Sequence, residues 1–417
     1  MRVYKFGGAS IKDADGFRNV SRILRKESAS DLIVVVSALG KTTNALEQVV
    51  DAYMNRTGEA HQLLAALRSN HFNLMNALIP DHQHAVYESL NNTFVEIDWI
   101  LEDEPTESYD YIYDQIVSIG EMASTRMLAA YLQYSGIAID WVDAREWIKT
   151  DNTYREGKIN WPDTELHIQR GLADHKRMIL TQGFIGCTTE NFTTTLGREG
   201  SDYTAAIIAY CTDATSVTIW KDVPGVLNAD PRYFKDTELI PELSYHEAIE
   251  MTYYGATVIH PKTIKPLQNK KIPLYVRSFI NDQEPGTEVH EVMQKGSLPP
   301  VWVMKMNQTL ISFSAKDFSF IAEDNLSDIF NTLYEYGIKV NLMQNSALSF
   351  SICVDNQPEK IFAMVQRLQQ AFKVKINERL HLLTVRHFEQ EAIDRYLNGK
   401  QVYVEQRSRT TAQIVYA

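Results

Sequence analysis

The sequence predicts an α/β unit followed by a differently built tail, and three observations carry that reading. Leu32–Val36 is an unbroken apolar run, the pattern of a strand in a sheet covered on both faces. Short apolar strands alternate with helical stretches as far as residue 278, the order from which α/β layers are built. Beyond a segment rich in Pro, Gly and charge at 281–300, the order becomes βαββαβ, the ferredoxin-like plan. The expected domains are 1–295, then 308–379 as one βαββαβ unit, then 380–417 joined by 300–307 as a second, truncated one.

RVYKF at 2–6 reads as the first strand and feeds the tight turn Gly7-Gly8-Ala9-Ser10 before a helix at 13–27. Two glycines between strand and helix let a backbone come close to a ligand, and phosphate is the usual ligand of such a loop. Lys5 stands just before it as a mobile ammonium. The P-loop pattern GxxxxGK[ST] is absent. After Leu32–Val36 comes a small, hydroxyl-rich turn, Ser37 to Asn44, and then a helical region at 44–101. His61, His71, His82 and His84 lie there without a carboxylate at ligand spacing, and read as solvated positions. Gly120-Glu121 precedes a helix at 122–134, where Glu121 either complements the helix dipole or receives a substrate ammonium. Strands at 137–142 and 178–183 continue the alternation.

The chain is organised around TLGREGSDYTAAIIAYCTDATSVTIWKDVPGVLNADPR, residues 195–232. Its Gly-rich turn leads into a helix at 203–211, so free N–H groups and a positive dipole end face an anion. Arg198 adds a forked cation suited to carboxylate or phosphate, and Asp202 places an acid beside it. The same residues would also serve an ordinary solvated loop capped by Ser201 or Asp202. A buried strand at 216–220 and two turn clusters, Asp222-Val223-Pro224-Gly225 and Asp230-Pro231-Arg232, close the stretch. Helices at 247–254 and 261–268 and a strand at 273–278 complete the first unit. In the tail, strands at 310–315, 339–343, 348–354 and 374–376 enclose helices at 325–336 and 359–372. A second pass has strands at 381–386, 401–405 and 412–416 and a helix at 389–397, and a strand at 301–306 is expected to complete it.

A formal net charge of -12 argues against non-specific nucleic-acid binding, though a local cationic site for a small anion remains compatible with it. The 3 cysteines show no metal-ligand spacing and read as small buried hydrophobes of a reducing compartment. Residue 1 is followed at once by strand-like sequence, with no signal peptide, and no apolar run is long enough to span a bilayer. A cytoplasmic protein without membrane or nucleic-acid partners is expected.

At this point the motifs resemble a known family. KFGGAS at 5–10, GREGSD at 197–202, WKDVPG at 220–225 and EMTYYGATVIHP at 250–261 are similar to those of monofunctional aspartate kinases. The resemblance implies an amino-acid-kinase three-layer sandwich with a mainly parallel central sheet, followed by ACT-type ferredoxin-like modules. It implies transfer of the ATP γ-phosphoryl group to the β-carboxylate of L-aspartate, the step that opens the route to lysine, threonine and methionine. Lys5, Asp202 and Lys221 would be catalytic. Thr43, Glu121, Arg198 and Ser201 would bind aspartate, Arg198 and Ser201 at its α-carboxylate and Glu121 at its ammonium. Lys5, Gly7, Gly8, Ser10, Lys221, Asp222, Leu227 and Arg232 would bind the nucleotide. Mg²⁺ would bridge phosphate oxygens with few ligands from the protein, so no protein metal site is expected. An amino-acid effector, lysine first and threonine second, would act at the ACT modules of a homodimer. No stretch is left over for a fused homoserine dehydrogenase.

Three positions depart from the family's pattern. Ala9 stands for the usual Thr. Glu199 stands for a Gly, and is expected to point outward. Thr257 stands where many members have a nucleotide-contacting Lys, while Lys221 stands where many have Thr, so Lys221 is expected to supply the missing charge. Two other readings stay open: a glutamate or acetylglutamate kinase, and a non-catalytic amino-acid sensor built on a dead kinase.

Overall fold

The computed structural model describes residues 1–27, 31–173, 176–256, 259–291, 298–317 and 319–417. Contacts divide it into two units: Met1–Val226, Pro241–Ile249 and Val258–Met293 form the first, and Leu227–Ile240, Glu250–Thr257 and Gln294–Ala417 the second. The expected boundary at 295 therefore misses two inner segments, 227–240 and 250–257, whose contacts lie with the tail.

The first unit begins with strand β1 (Arg2–Phe6), helix α1 (Ala14–Leu24), strand β2 (Leu32–Val36) and helices α2 (Thr42–Met54), α3 (Ala60–Leu78), α4 (Val86–Glu102), α5 (Tyr109–Val117) and α6 (Ile119–Tyr134). Then follow β3 (Ile139–Val142), the short α7 (Ala144–Trp147), α8 (Trp161–Leu172), β4 (Met178–Gln182), a hairpin of β5 (Ile185–Cys187) and β6 (Thr193–Thr195), α9 (Gly200–Cys211) and β7 (Ser216–Lys221). Next come β8 (Glu242–Ser244), α10 (Tyr245–Tyr254), through which the division between units runs, α11 (Pro261–Lys270), β9 (Leu274–Ser278) and β10 (Thr287–His290). The sheet order is β3-β4-β2-β1-β7-β9-β10-β8, and only β9–β10 is antiparallel. The helical region at 44–101 consists of three helices, separated at Gly58 (φ 80) and around Pro80. His71 is not solvated: it is fully buried, with Nδ1 2.9 Å from the Leu67 carbonyl.

Strand alternation decides what faces the site. Tyr4, Phe6 and Trp220 join the cluster formed with α1 to α6, where Phe6 and Trp220 stack at 5.9 Å. Period two then sends Val3 and Lys5 of β1, and Ile219 and Lys221 of β7, to the other face, against which α9 packs. From β1 the chain moves outward to β2 on one side, and from β7 to β9 on the other. That reversal between β1 and β7 opens a crevice at the carboxyl ends of parallel strands, the general ligand position in such sheets.

The second unit holds one six-stranded sheet, not two separate ones. Its strands are β11 (Val301–Ala315), β12 (Val340–Asn345), β13 (Phe350–Asp355), β14 (Phe372–Arg386), β15 (Val402–Arg407) and β16 (Thr411–Tyr416), in the order β12-β13-β11-β14-β16-β15. The runs read as separate strands at 374–376 and 381–386 are one strand. β11 and β14 pair along their length, with irregular register between Lys305 and Leu310, and both turn through positive φ there, at Asn307 (53°) and Arg379 (58°). One half carries α12 (Glu323–Glu335) and α13 (Pro358–Leu368) over Ile311, Phe313, Ile352 and Val354. The other half pairs Val301–Lys305 with Leu382–Arg386 and has a single helix, α14 (Gln390–Leu397). Its missing helix is replaced in part by the segment at 227–240: the Trp302 N–H donates to Asn228 O at 2.7 Å, and Phe234 packs on Trp302 and Tyr396.

Candidate active site

The crevice is a cavity of about 820 Å³ lined from the carboxyl ends of β1, β2 and β7, the start of α9 and the loops beside them. Lys5 and Gly8 come from β1 and its turn; Ser37, Ala38, Gly40 and Thr43 come from the turn after β2. Gly8 is required here because a Cβ would lie 2.6 Å from the Ala38 carbonyl oxygen. The two turns are tied by the Gly40 N–H donating to Gly8 O at 3.0 Å. Gly183 has the same reason at the end of β4, since its Cβ would meet Ser201 Cβ at 2.4 Å and push the start of α9 off the sheet.

Asp202, on the first turn of α9, is 3% exposed and sits between two lysines. Lys5 Nζ lies 2.6 Å from its Oδ1 and Lys221 Nζ 3.6 Å from its Oδ2. Burial works to raise the Asp202 pKa, but Lys5 and Lys221 outweigh it and hold the carboxyl below its usual range. Glu121, on the first turn of α6, is 2% exposed. Its Oε1 accepts the Ala38 N–H at 3.3 Å, and its Oε2 is buried without a hydrogen-bond partner among the described residues. Burial pushes this carboxyl up to about 8, against the Ala38 amide and the Lys5 charge. Arg198 is exposed on the cavity wall, and Ser201 is buried there.

Of the residues singled out from sequence, Lys5, Gly8, Thr43, Glu121, Arg198, Ser201, Asp202 and Lys221 converge on this cavity. Gly7, Ser10 and Asp222 are not among its lining residues; the Ser10 N–H donates to Gly7 O at 2.9 Å and shapes the turn. Leu227 and Arg232 belong to the second unit, where Arg232 pairs with Asp230 at 2.6 Å. Thr257 lies outside the described residues. Glu199 does not point outward: it lines the cavity, at φ 53°, with Oε2 buried.

Several lining residues carried no signal in the sequence. Tyr113, Tyr154, Arg155 and Phe184 line the cavity. Arg155 lies 4.4 Å over the Tyr113 ring. The Arg155 backbone is held by the buried Asp114, which accepts the Thr195 hydroxyl at 2.6 Å and the Thr195 and Arg155 amides at 2.9 Å each. Burial raises the Asp114 pKa to about 6, with those three bonds opposing it. A carboxylate on a helix and a threonine strand eighty-one positions later have no local spacing that would link them.

The profile of the Amino acid kinase family matches residues 1–278. The chain belongs to the amino acid kinase family. Among its relatives, the Lysine-sensitive aspartokinase 3 of Escherichia coli (strain K12) is 30% identical over 358 residues, 85% of this chain and 78% of that protein. The chloroplastic Bifunctional aspartokinase/homoserine dehydrogenase 1 of Arabidopsis thaliana is 28% identical over 89% of this chain, which spans only 42% of the bifunctional protein. The fold is similar across the whole chain to E. coli aspartokinase III in complex with aspartate and ADP (R-state), at TM-score 0.82 and 25% identity, covering 96% of that chain. Against the same enzyme in complex with lysine and aspartate (T-state), the TM-score is 0.84 at 25% identity, covering 95%. This member of the amino acid kinase family thus has its mostly parallel sheet in the matched region and an antiparallel unit after it. No described helix is long and apolar enough to cross a membrane.

Proposed function

We propose that the chain is an aspartate kinase, moving the γ-phosphoryl group of ATP to the β-carboxylate of L-aspartate to give 4-phospho-L-aspartate. One observation carries the reading to aspartate. In a single cavity, a buried carboxylate oxygen without a partner (Glu121) and an exposed guanidinium (Arg198) answer the two charged ends of an α-amino acid, beside a lysine-carboxylate-lysine array. The aspartate, ADP and lysine named for the E. coli complexes fit the same assignment.

The acceptor carboxylate is already a nucleophile, so the site has to position two anions and neutralise charge as the phosphoryl group passes. Lys5 and the Gly8 turn face the transferring group. Asp202 holds Lys5 and Lys221 in place. Arg198 and Ser201 take the α-carboxylate, Glu121 the ammonium, and Thr43 lies beside them. The described residues contain no cluster of three or more His, Cys, Asp or Glu that could hold a metal, and both Asp202 oxygens face lysines. Mg²⁺ would come with ATP as its counter-ion and lower the charge on the triphosphate.

The second unit we assign to regulation by an amino-acid effector, lysine first and threonine second, within a homodimer. Supporting this, β12 is a sheet edge whose Met343 is exposed, and Phe330, Tyr334 and Phe362 of α12 and α13 are exposed as well, Tyr334 at 88%. A second copy of the chain, offering the same edge and helices, would cover them. The test is a coupled assay for ADP formation with aspartate and with glutamate, repeated with lysine and with threonine. ADP formation that depends on aspartate sustains the proposal; turnover with glutamate alone, or none, removes it.

A further inference from the structure

The turn after β2 serves the cavity twice. Ser37, Ala38, Gly40 and Thr43 line it, and the Ala38 N–H holds Glu121. Its first part is tied down through the backbone: the Ser37 N–H donates to Phe6 O at 3.1 Å and the Gly40 N–H to Gly8 O at 3.0 Å. Its last part, where α2 starts, has less. Lys41, the N-cap residue of α2, makes no capping hydrogen bond with its side chain. Among the described residues, Thr42 is the only member of 41–44 whose side chain is hydrogen-bonded. Its partner is His71 of α3, whose Nε2 lies 3.4 Å from Thr42 Oγ1.

The other ring nitrogen settles the roles in that bond. His71 Nδ1 lies 2.9 Å from Leu67 O, an atom that only accepts, so Nδ1 carries the hydrogen. Burial lowers the His71 pKa and keeps the ring neutral. Nε2 is then a bare acceptor, and the Thr42 hydroxyl donates to it. On its opposite side Thr42 meets α6: a Cβ on Gly120, the residue before Glu121, would lie 2.9 Å from Thr42 Cγ2. The buried Thr42 therefore stands between His71 and the start of α6, and the next residue lines the cavity. An imidazole is a costly side chain for this place. It is fully buried, edge-on to Phe94 at 5.2 Å between ring centroids, where an apolar group would carry no desolvation penalty.

We propose that His71 is a positioning residue for the aspartate end of the site. Through Thr42 it fixes the start of α2, so that Thr43 and the Ala38–Glu121 contact keep the geometry that receives the amino acid. This rests on the aspartate reading above. His71 is not among the residues lining the cavity, and acts on the substrate only through Thr42.

The experiment measures KM for aspartate, ADP affinity and melting temperature on the full chain. His71→Leu should raise KM for aspartate about fivefold, the worth of one net hydrogen bond, with ADP affinity held. Thr42→Val removes the same bond from the other side and should raise KM by the same factor. His71→Gln, whose amide oxygen can accept the Thr42 hydroxyl, should stay within about twofold of the unaltered protein. The double change His71→Leu, Thr42→Val replaces both partners by apolar groups of similar shape, so it should regain the melting temperature of the unaltered protein while KM stays high. An unchanged KM in His71→Leu or in Thr42→Val, a His71→Gln no better than His71→Leu, or a double variant in which KM recovers together with melting temperature overturns the positioning role alone. An unaltered protein without aspartate-dependent ADP formation overturns the aspartate reading and the role with it.

Discussion

Glu121 offers the sharpest test of the substrate assignment, because its carboxyl is pushed up to about 8 by burial and faces the position given to the aspartate ammonium. Below that pH the free site holds a proton there. An arriving ammonium favours the carboxylate, so binding expels the proton. With the carboxyl ionised in about one molecule in a hundred at pH 6 and in half at pH 8, aspartate affinity should rise roughly 50-fold across that interval and then level off. The assay is calorimetric titration of aspartate in buffers of different ionisation enthalpy. It should show close to one proton released per aspartate near pH 6.5 and less above pH 8. Glu121→Gln should lower affinity at pH 8 and abolish the slope. The same proton has a stability consequence of opposite use. Between about 4.5 and 8 the folded chain holds a proton that the unfolded chain has lost, so this group destabilises the fold increasingly as pH rises through that window, by about 3 kcal/mol at pH 7. Glu121→Gln should therefore melt higher than the unaltered protein, by more at pH 7.5 than at pH 5. A flat affinity between pH 6 and 8, or proton uptake on binding, would refute the reasoning.

Arg198→Ala should cost about 2–4 kcal/mol in kcat/KM for aspartate by removing a charge-assisted pair, with ADP affinity held; the reverse pattern in steady-state kinetics would move Arg198 to the nucleotide. Asp114→Asn replaces an acceptor of three hydrogen bonds by a group that must present a donor to one of them, and should destabilise by about 1–3 kcal/mol in urea titration while raising KM for aspartate through the Arg155 loop. Phe330→Glu with Tyr334→Glu should convert a dimer to a monomer in light scattering without lowering the melting temperature, since both side chains are exposed; a monomeric unaltered protein would dispose of the dimer.

Much of the kinase unit was legible because its chemistry sits where strand parity and turn composition speak. A lysine one residue before the end of a strand, a Gly-Gly turn and an acid at a helix start are local signals, and Lys5, Gly8 and Asp202 meet as those signals imply. Glu199 was misjudged because a charged residue in a polar turn normally belongs to solvent; what turns it inward is a left-handed backbone angle, which composition does not reveal. The β5–β6 hairpin, with strands of IGC and TTT, has too little apolar periodicity to register, and the Arg155 loop that it supports was lost with it. His71 looked solvated among polar neighbours, yet its place on α3 faces α2 and Phe94 of α4. Leu227 and Arg232 follow a motif in sequence, but their contacts lie with the tail, a long-range choice that no window of residues encodes.

The continuity of β11 and β14 has a consequence for the order in which the tail assembles. Val301–Lys305 emerges early in synthesis, but its partner Leu382–Arg386 follows only after a whole βαββαβ unit has been made. Pairing across such a sequence separation must wait for the intervening unit to close the loop, so the second half is a late event in folding and the first half its template. Until then Val301-Trp302-Val303-Met304 is an apolar edge whose side toward β14 is unpaired, its other side held by the Trp302 N–H to Asn228 O. A chain stopped before residue 382 would keep that edge open permanently, and should aggregate even though every element of the first half is present.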